Sequence, residues 1–130
     1  MAPFFDSIIS TFRKIEAVMA TGHENIQQYC MVMTTFSNEV IGKKIIHSLI
    51  EKRLAACVQV QAIESYYHWK GEVNQDQEKL VMIKTTAALY PEVEADILAN
   101  HDYDTPEIIQ LPITAGLADY LNWIRSECKG

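Results

Sequence analysis

Apolar residues change their period several times along the chain, and each change marks a predicted element. Phe5, Ile8, Phe12, Ile15 and Met19 recur at helical spacing, which predicts an amphipathic helix within residues 1–25. Gly22 to Asn25 forms the joint between this extension and one domain over residues 26–130. From Gln28 to Phe36 a short apolar run without breakers predicts a buried strand. Ser37 and Asn38 are capping residue types. Ile41, Ile45, Ile46, Leu49 and Ile50 then predict a helix running to about Leu54. Two long strand patterns, Cys57 to Trp69 and Glu72 to Thr85, are joined by Lys70-Gly71, a two-residue turn with glycine available for positive φ. The next helix carries Val93, Ile97 and Leu98, with Pro91 in its first turn, where a missing N–H costs nothing. A loop from His101 to Pro106 leads into a strand from Glu107 to Thr114, whose Pro112 points to an edge position or a bulge. Leu117, Tyr120, Leu121, Ile124 and Cys128 predict a final helix.

The resulting order places a βαββαβ core between two extra helices. That is the ferredoxin-like arrangement of the α+β class, an antiparallel sheet with its crossover helices on one face. The sheet is apolar on both faces. Val81 and Ile83 alternate with Leu80 and Met82, and Cys30 and Val32 alternate with Met31 and Met33. A face open to water should be polar. Either the terminal helices cover the second face, or identical subunits pack against it.

Composition narrows the partners. A charged fraction of 22% and a hydrophobic fraction of 48% are ordinary for a globular domain, so the 130 residues need no staples. The net charge of −6 disfavours nucleic acid and anionic membranes and favours cationic partners. No apolar run reaches transmembrane length, so no membrane insertion is expected. Asp6, Arg13, Lys14 and Glu16 break the leading segment, which does not read as a signal peptide. Three scattered cysteines (Cys30, Cys57, Cys128) make no disulfide framework, which suits a reducing, cytoplasmic setting.

Chemistry concentrates at two places. If the Lys70-Gly71 turn is unbulged, paired residue numbers sum to 141, so Cys57 faces Lys84 and shares its sheet face with Trp69. An ammonium beside a thiol favours the thiolate, the form that binds soft metals; packing alone also accounts for a small buried cysteine in a strand. The loop from His101 to Glu107 gathers one imidazole and the carboxylates of Asp102, Asp104 and Glu107. Mixed nitrogen and oxygen donors suit copper, zinc or nickel better than calcium, but the spacing matches no compact metal motif, and solvated loop carboxylates beside a turn-making Pro106 are the simpler reading. Glycine-rich phosphate loops, GxSxG and HExxH are absent, so the expectation is a binding protein and not an enzyme.

The segments EKRLAACV (51–58), YYHWKGEV (66–73), MIKTT (82–86), HDYDTPEI (101–108), LPITAG (111–116) and YLNWI (120–124) resemble the CutA family of divalent-cation tolerance proteins, in order and spacing. The resemblance covers Gln28 to about Cys128. It implies a ferredoxin-like homotrimer, a role in the homeostasis of copper and other divalent metals, and a metal site in the inter-subunit cleft. Cys57 and His101 match the family's metal ligands; Trp69, Lys84, Tyr103 and Glu107 match the residues lining that cleft. Thr34 and Asn100 stand where some members carry a further cysteine and histidine. A hydroxyl and an amide are poor replacements, so the resemblance implies weak metal binding here. Asp102 replaces the proline of most relatives. Two other readings share this plan: a PII-like trimer that senses small molecules, or a structural assembly module that recruits a protein partner through the helix of Phe5 and Phe12.

Overall fold

The computed structural model describes residues 28–130. The helix expected within residues 1–25 lies outside them. Strand β1 (Tyr29–Phe36) leads to helix α1 (Glu39–Glu51), then to strands β2 (Cys57–Trp69) and β3 (Glu72–Thr86). A 3-10 turn (Ala87–Leu89) precedes helix α2 (Tyr90–Asn100), followed by strand β4 (Ile108–Ile113) and helix α3 (Ala118–Glu127). The four strands form one sheet in the order β2-β3-β1-β4, with every neighbouring pair antiparallel. β4 is thus an edge strand, the position that tolerates Pro112.

The Asn38 side chain accepts hydrogen bonds from the N–H groups of Val40 (2.9 Å) and Ile41 (3.1 Å) and so caps α1. The helix stops at Glu51, three residues before Leu54. Leu54 N–H instead reaches back to the Leu49 carbonyl (2.9 Å) and Arg53 N–H to that of Ile50 (3.1 Å), while Arg53 takes φ 55°. This is a Schellman closure, in which the apolar residue beyond the end folds back onto the last turn. Leu54 continues the helical spacing in sequence because it packs with Leu49, without being helical itself.

Alternation in the strands sorts residues to two faces. Cys30, Val32, Phe36, Val81 and Ile83 point to the helices and are buried with Ile45, Leu49, Val93 and Ile97. Burying each of these larger side chains contributes about 1.5–3 kcal/mol. Helix α1 approaches the sheet closely: a Cβ on Gly42 would lie 2.2 Å from the Phe36 ring of β1. Asp96 of α2 is buried and receives Lys52 Nζ at 2.6 Å, which ties the two helices together.

The opposite face carries Met31, Met33, Leu80, Met82, Ile109 and Leu111, all at least partly exposed. The register aligns Met82, Met33 and Ile109 in one row across three strands. No described helix covers that row from solvent, so among the described residues the second apolar face expected from the pattern is open. The β2–β3 hairpin also outruns β1: residues 63–69 and 72–78 continue as a two-stranded ribbon beyond Phe36.

Candidate functional site

The cleft lies where this ribbon leaves the sheet. Ser65, Tyr67 and Trp69 of β2 and Asp76 and Glu78 of β3 share the open face there, by the strict pairing of the ladder. The loop after α2 brings Tyr103, Asp104 and Glu107 against them. Together they line a cleft of about 640 Å³ that also includes Thr35 and Ser37.

Tyr103 sits at its centre. Its hydroxyl donates to Glu78 Oε2 (2.7 Å) and accepts from Ser37 Oγ (2.8 Å). Burial, followed by the hydrogen bond to Glu78, pushes the phenol up to about 12, against the opposing pull of Ser37. Tyr67 donates to Asp76, and that bond raises its phenol as well. Both phenols are therefore neutral donors that hold carboxylates in place. The cleft wall contains aromatic rings and carboxylates and no lysine, arginine or histidine. Ring faces and carboxylates both attract cations.

His101 underlies this arrangement. It ends α2, with its own N–H on the Ile97 carbonyl (2.9 Å), and its side chain is 1% exposed. Nε2 lies 2.7 Å from the Thr35 carbonyl oxygen and Nδ1 3.2 Å from the Tyr103 N–H. The imidazole also lies against the Tyr103 ring, centroids 4.5 Å apart.

Four of the six residues expected at the site thus gather at one end of the sheet: Trp69, Tyr103 and Glu107 in the wall, His101 beneath it. Cys57 and Lys84 do not join them. Cys57 pairs with Lys84, which pairs with Met31, whereas His101 binds the strand at Thr35. Four residues along β1 amount to about 13 Å, before the width of two strands is added. Trp69 shares a face with Cys57 but stands at the other end of the 13-residue strand, about 40 Å away. The Lys84 ammonium donates to Gln59 Oε1 (2.8 Å) and lies over the Tyr120 ring.

Among the described residues, no three His, Cys, Asp or Glu side chains are grouped to hold a metal ion. Thr34 is buried on the helix-facing side of β1, and the Asn100 amide donates to the Asp96 carbonyl (2.8 Å). Neither supplies a replacement ligand. The described residues of one chain therefore do not assemble a complete donor set for a metal ion. The sequence reading overlooked Ser37, Tyr67, Asp76 and Glu78, although the same 141 rule places Ser65 opposite Asp76 and Ile63 opposite Glu78.

Residues 30–127 match the family model described as CutA1 divalent ion tolerance protein. The chain is 43% identical over 100 residues to the chloroplastic protein CutA of Arabidopsis thaliana, covering 76% of this chain and 55% of that one. It is 43% identical over 96 residues to the divalent-cation tolerance protein CutA of Thermus thermophilus, covering 73% and 93%. The chain thus spans about half the length of the plant relative and nearly all of the bacterial one. The crystal structure of CutA1 from Oryza sativa superposes with a TM-score of 0.75 at 39% identity, covering 79% of this chain and 95% of that one. That of the Thermus thermophilus protein gives 0.74 at 39% identity, with 78% and 99% covered.

Proposed function

The chain belongs to the CutA1 divalent ion tolerance family, and from that premise we propose that it is a homotrimer on the ferredoxin-like plan, holding divalent metal ions such as copper weakly in clefts between subunits. One observation carries this reading. The residues expected at a single site lie at two ends of one sheet face, too far apart to meet within a chain.

Copies can bring those ends together. The Cys57–Lys84 end of one subunit meets the Trp69–Tyr103–Glu107 cleft of the next, and the cation of the first answers the carboxylates of the second. A contact between two different patches of the same chain repeats around an axis, and with a rotation of one third of a turn it closes into a ring of three. Such a ring also removes from water the Met82–Met33–Ile109 row, which the described residues of one subunit leave partly exposed.

The Cys57 thiolate supplies a soft donor and the cleft carboxylates supply hard ones, a set suited to borderline ions. With Thr34 and Asn100 unable to add ligands, binding is weak. A reducing cytoplasm keeps Cys57, the half-buried one of the three free cysteines, in its thiol form. The role is one of binding, not of chemical conversion.

Light scattering tests the assembly: the expected mass is three times the 14.8 kDa of the chain. Calorimetry with copper on wild type and Cys57→Ser tests the site, with weaker binding expected for the variant. A stable single subunit at micromolar concentration, or heats unchanged in Cys57→Ser, overturns the proposal.

A further inference from the structure

We infer that His101 is a positioning residue that fixes Tyr103 in the cleft, and that it is not itself a ligand of the bound ion. The inference rests on the cleft proposed above only for the identity of what Tyr103 faces.

The hydrogen-bond partners assign the imidazole. A carbonyl oxygen only accepts, so Nε2, at 2.7 Å from the Thr35 oxygen, carries the hydrogen. An amide N–H only donates, so Nδ1, at 3.2 Å from the Tyr103 nitrogen, presents its lone pair to it. The ring is therefore the neutral Nε2–H tautomer, and the lone pair a metal would need is already capped. Asp102 Oδ1, at 3.4 Å from Nδ1, is another acceptor and adds no bond to that lone pair. The side chain is 1% exposed, so the ring offers almost no surface to a ligand in solution.

The same bonds give His101 another task. Nε2 anchors the ring to β1, Nδ1 holds the Tyr103 backbone, and the ring face supports the Tyr103 ring at 4.5 Å. From there the phenol reaches Glu78 on β3 and Ser37 after β1. Three separate segments are thus registered through one imidazole, and the Tyr103 hydroxyl inherits its position from that anchor.

Glutamine can imitate both bonds, because its amide donates at one atom and accepts at another; alanine can do neither. Long-range proton–nitrogen NMR on wild type at neutral pH is expected to give the Nε2–H tautomer. The Tyr103 amide resonance is expected to move in His101→Ala and to return towards its wild-type position in His101→Gln. Copper calorimetry is expected to give His101→Gln a dissociation constant within about twofold of wild type, whereas loss of a true ligand weakens binding tenfold or more. An Nδ1–H tautomer, a Tyr103 amide indifferent to both variants, or a tenfold loss in His101→Gln overturns the inference. If wild type binds no copper, the cleft proposal fails, and the tautomer and the Tyr103 amide still decide the role of His101.

Discussion

Cys57 stands directly opposite Lys84 in the β2–β3 ladder, yet the Lys84 ammonium is engaged by Gln59 at 2.8 Å and by the Tyr120 ring at 5.5 Å. A backbone pairing fixes where two side chains start and leaves open where a long one ends. Lys84 bridges β2 to α3 across the end of the sheet, where it joins the final helix to the ladder. Replacing it with methionine removes one charge-assisted bond and one cation–ring contact from a partly exposed place. Urea unfolding of Lys84→Met is expected to show a loss of about 1 kcal/mol. A variant as stable as wild type would mean that α3 is held by its apolar face alone.

The turn that sets this register carries a strain that can be relieved. Lys70 and Gly71 both have positive φ, 52° and 80°, so the hairpin closes through a type I′ turn. Glycine adopts that region freely; lysine does not. Asparagine is the preferred residue before glycine in such turns. Lys70→Asn is therefore expected to raise stability by about 0.5–1 kcal/mol, seen as a higher urea midpoint with an unchanged slope. A lower midpoint would show that the weak contact between Lys70 and the Trp69 ring, 5.9 Å to its centroid, matters more than backbone strain.

The hairpin was legible in the sequence because a two-residue turn leaves one register, and all thirteen pairs from Cys57–Lys84 to Trp69–Glu72 obey it. The end of α1 was not, because Leu54 keeps helical spacing while Arg53, with no glycine to announce it, makes the left-handed turn. The site was legible as residue types but not as one place. Cys57 and His101 fall at opposite ends of the sheet, a separation that follows from how β1 pairs with β3. The His101 tautomer depends on a carbonyl 66 residues away, and no local pattern encodes that.

Close approach between α1 and β1 predicts a severe substitution. The Cβ of an alanine at Gly42 would stand 2.2–2.4 Å from three ring atoms of Phe36. That ring is buried and can yield only by displacing the helix or its neighbours. Alanine would otherwise favour the helix by about 1 kcal/mol. Overpacking outweighs this, and Gly42→Ala is expected to destabilise by about 1–3 kcal/mol in thermal or urea unfolding. The double variant Gly42→Ala, Phe36→Leu should recover part of the loss, since it removes the obstructing ring atoms.

Thr34 offers the opposite case. Its hydroxyl is buried between β3 and β4, opposite Val81 and Ile108, and has no hydrogen-bond partner among the described residues. An unpaired buried hydroxyl costs about 1–3 kcal/mol. Thr34→Val keeps the branched shape and removes that cost, so a gain of about 1 kcal/mol is expected in urea unfolding. Copper binding should be unaffected, because Thr34 faces the helices and not the open sheet face. Weakened copper binding in this variant would place Thr34 at the metal after all.

Cys30 links the core to alkaline pH. It is fully buried, opposite Thr85 in the ladder, and Thr85 Oγ1 lies 3.6 Å from the Cys128 sulfur. Burial first, and the neighbouring Cys128 second, push the Cys30 thiol up from 9.0 to about 11. The unfolded chain ionises this thiol near its ordinary value while the folded chain keeps the proton. Between those values the native state binds more protons, so stability falls as pH rises. A shift of this size corresponds to a loss on the order of 3 kcal/mol, complete once pH passes the folded value. Cys30→Ala is less stable at neutral pH because it leaves a small cavity, but it lacks this titration. Urea melts from about pH 8 to about pH 11 should therefore show the gap between wild type and variant narrowing with pH. A gap that stayed constant would mean that the thiol ionises alike in both states and that some other group governs alkaline unfolding.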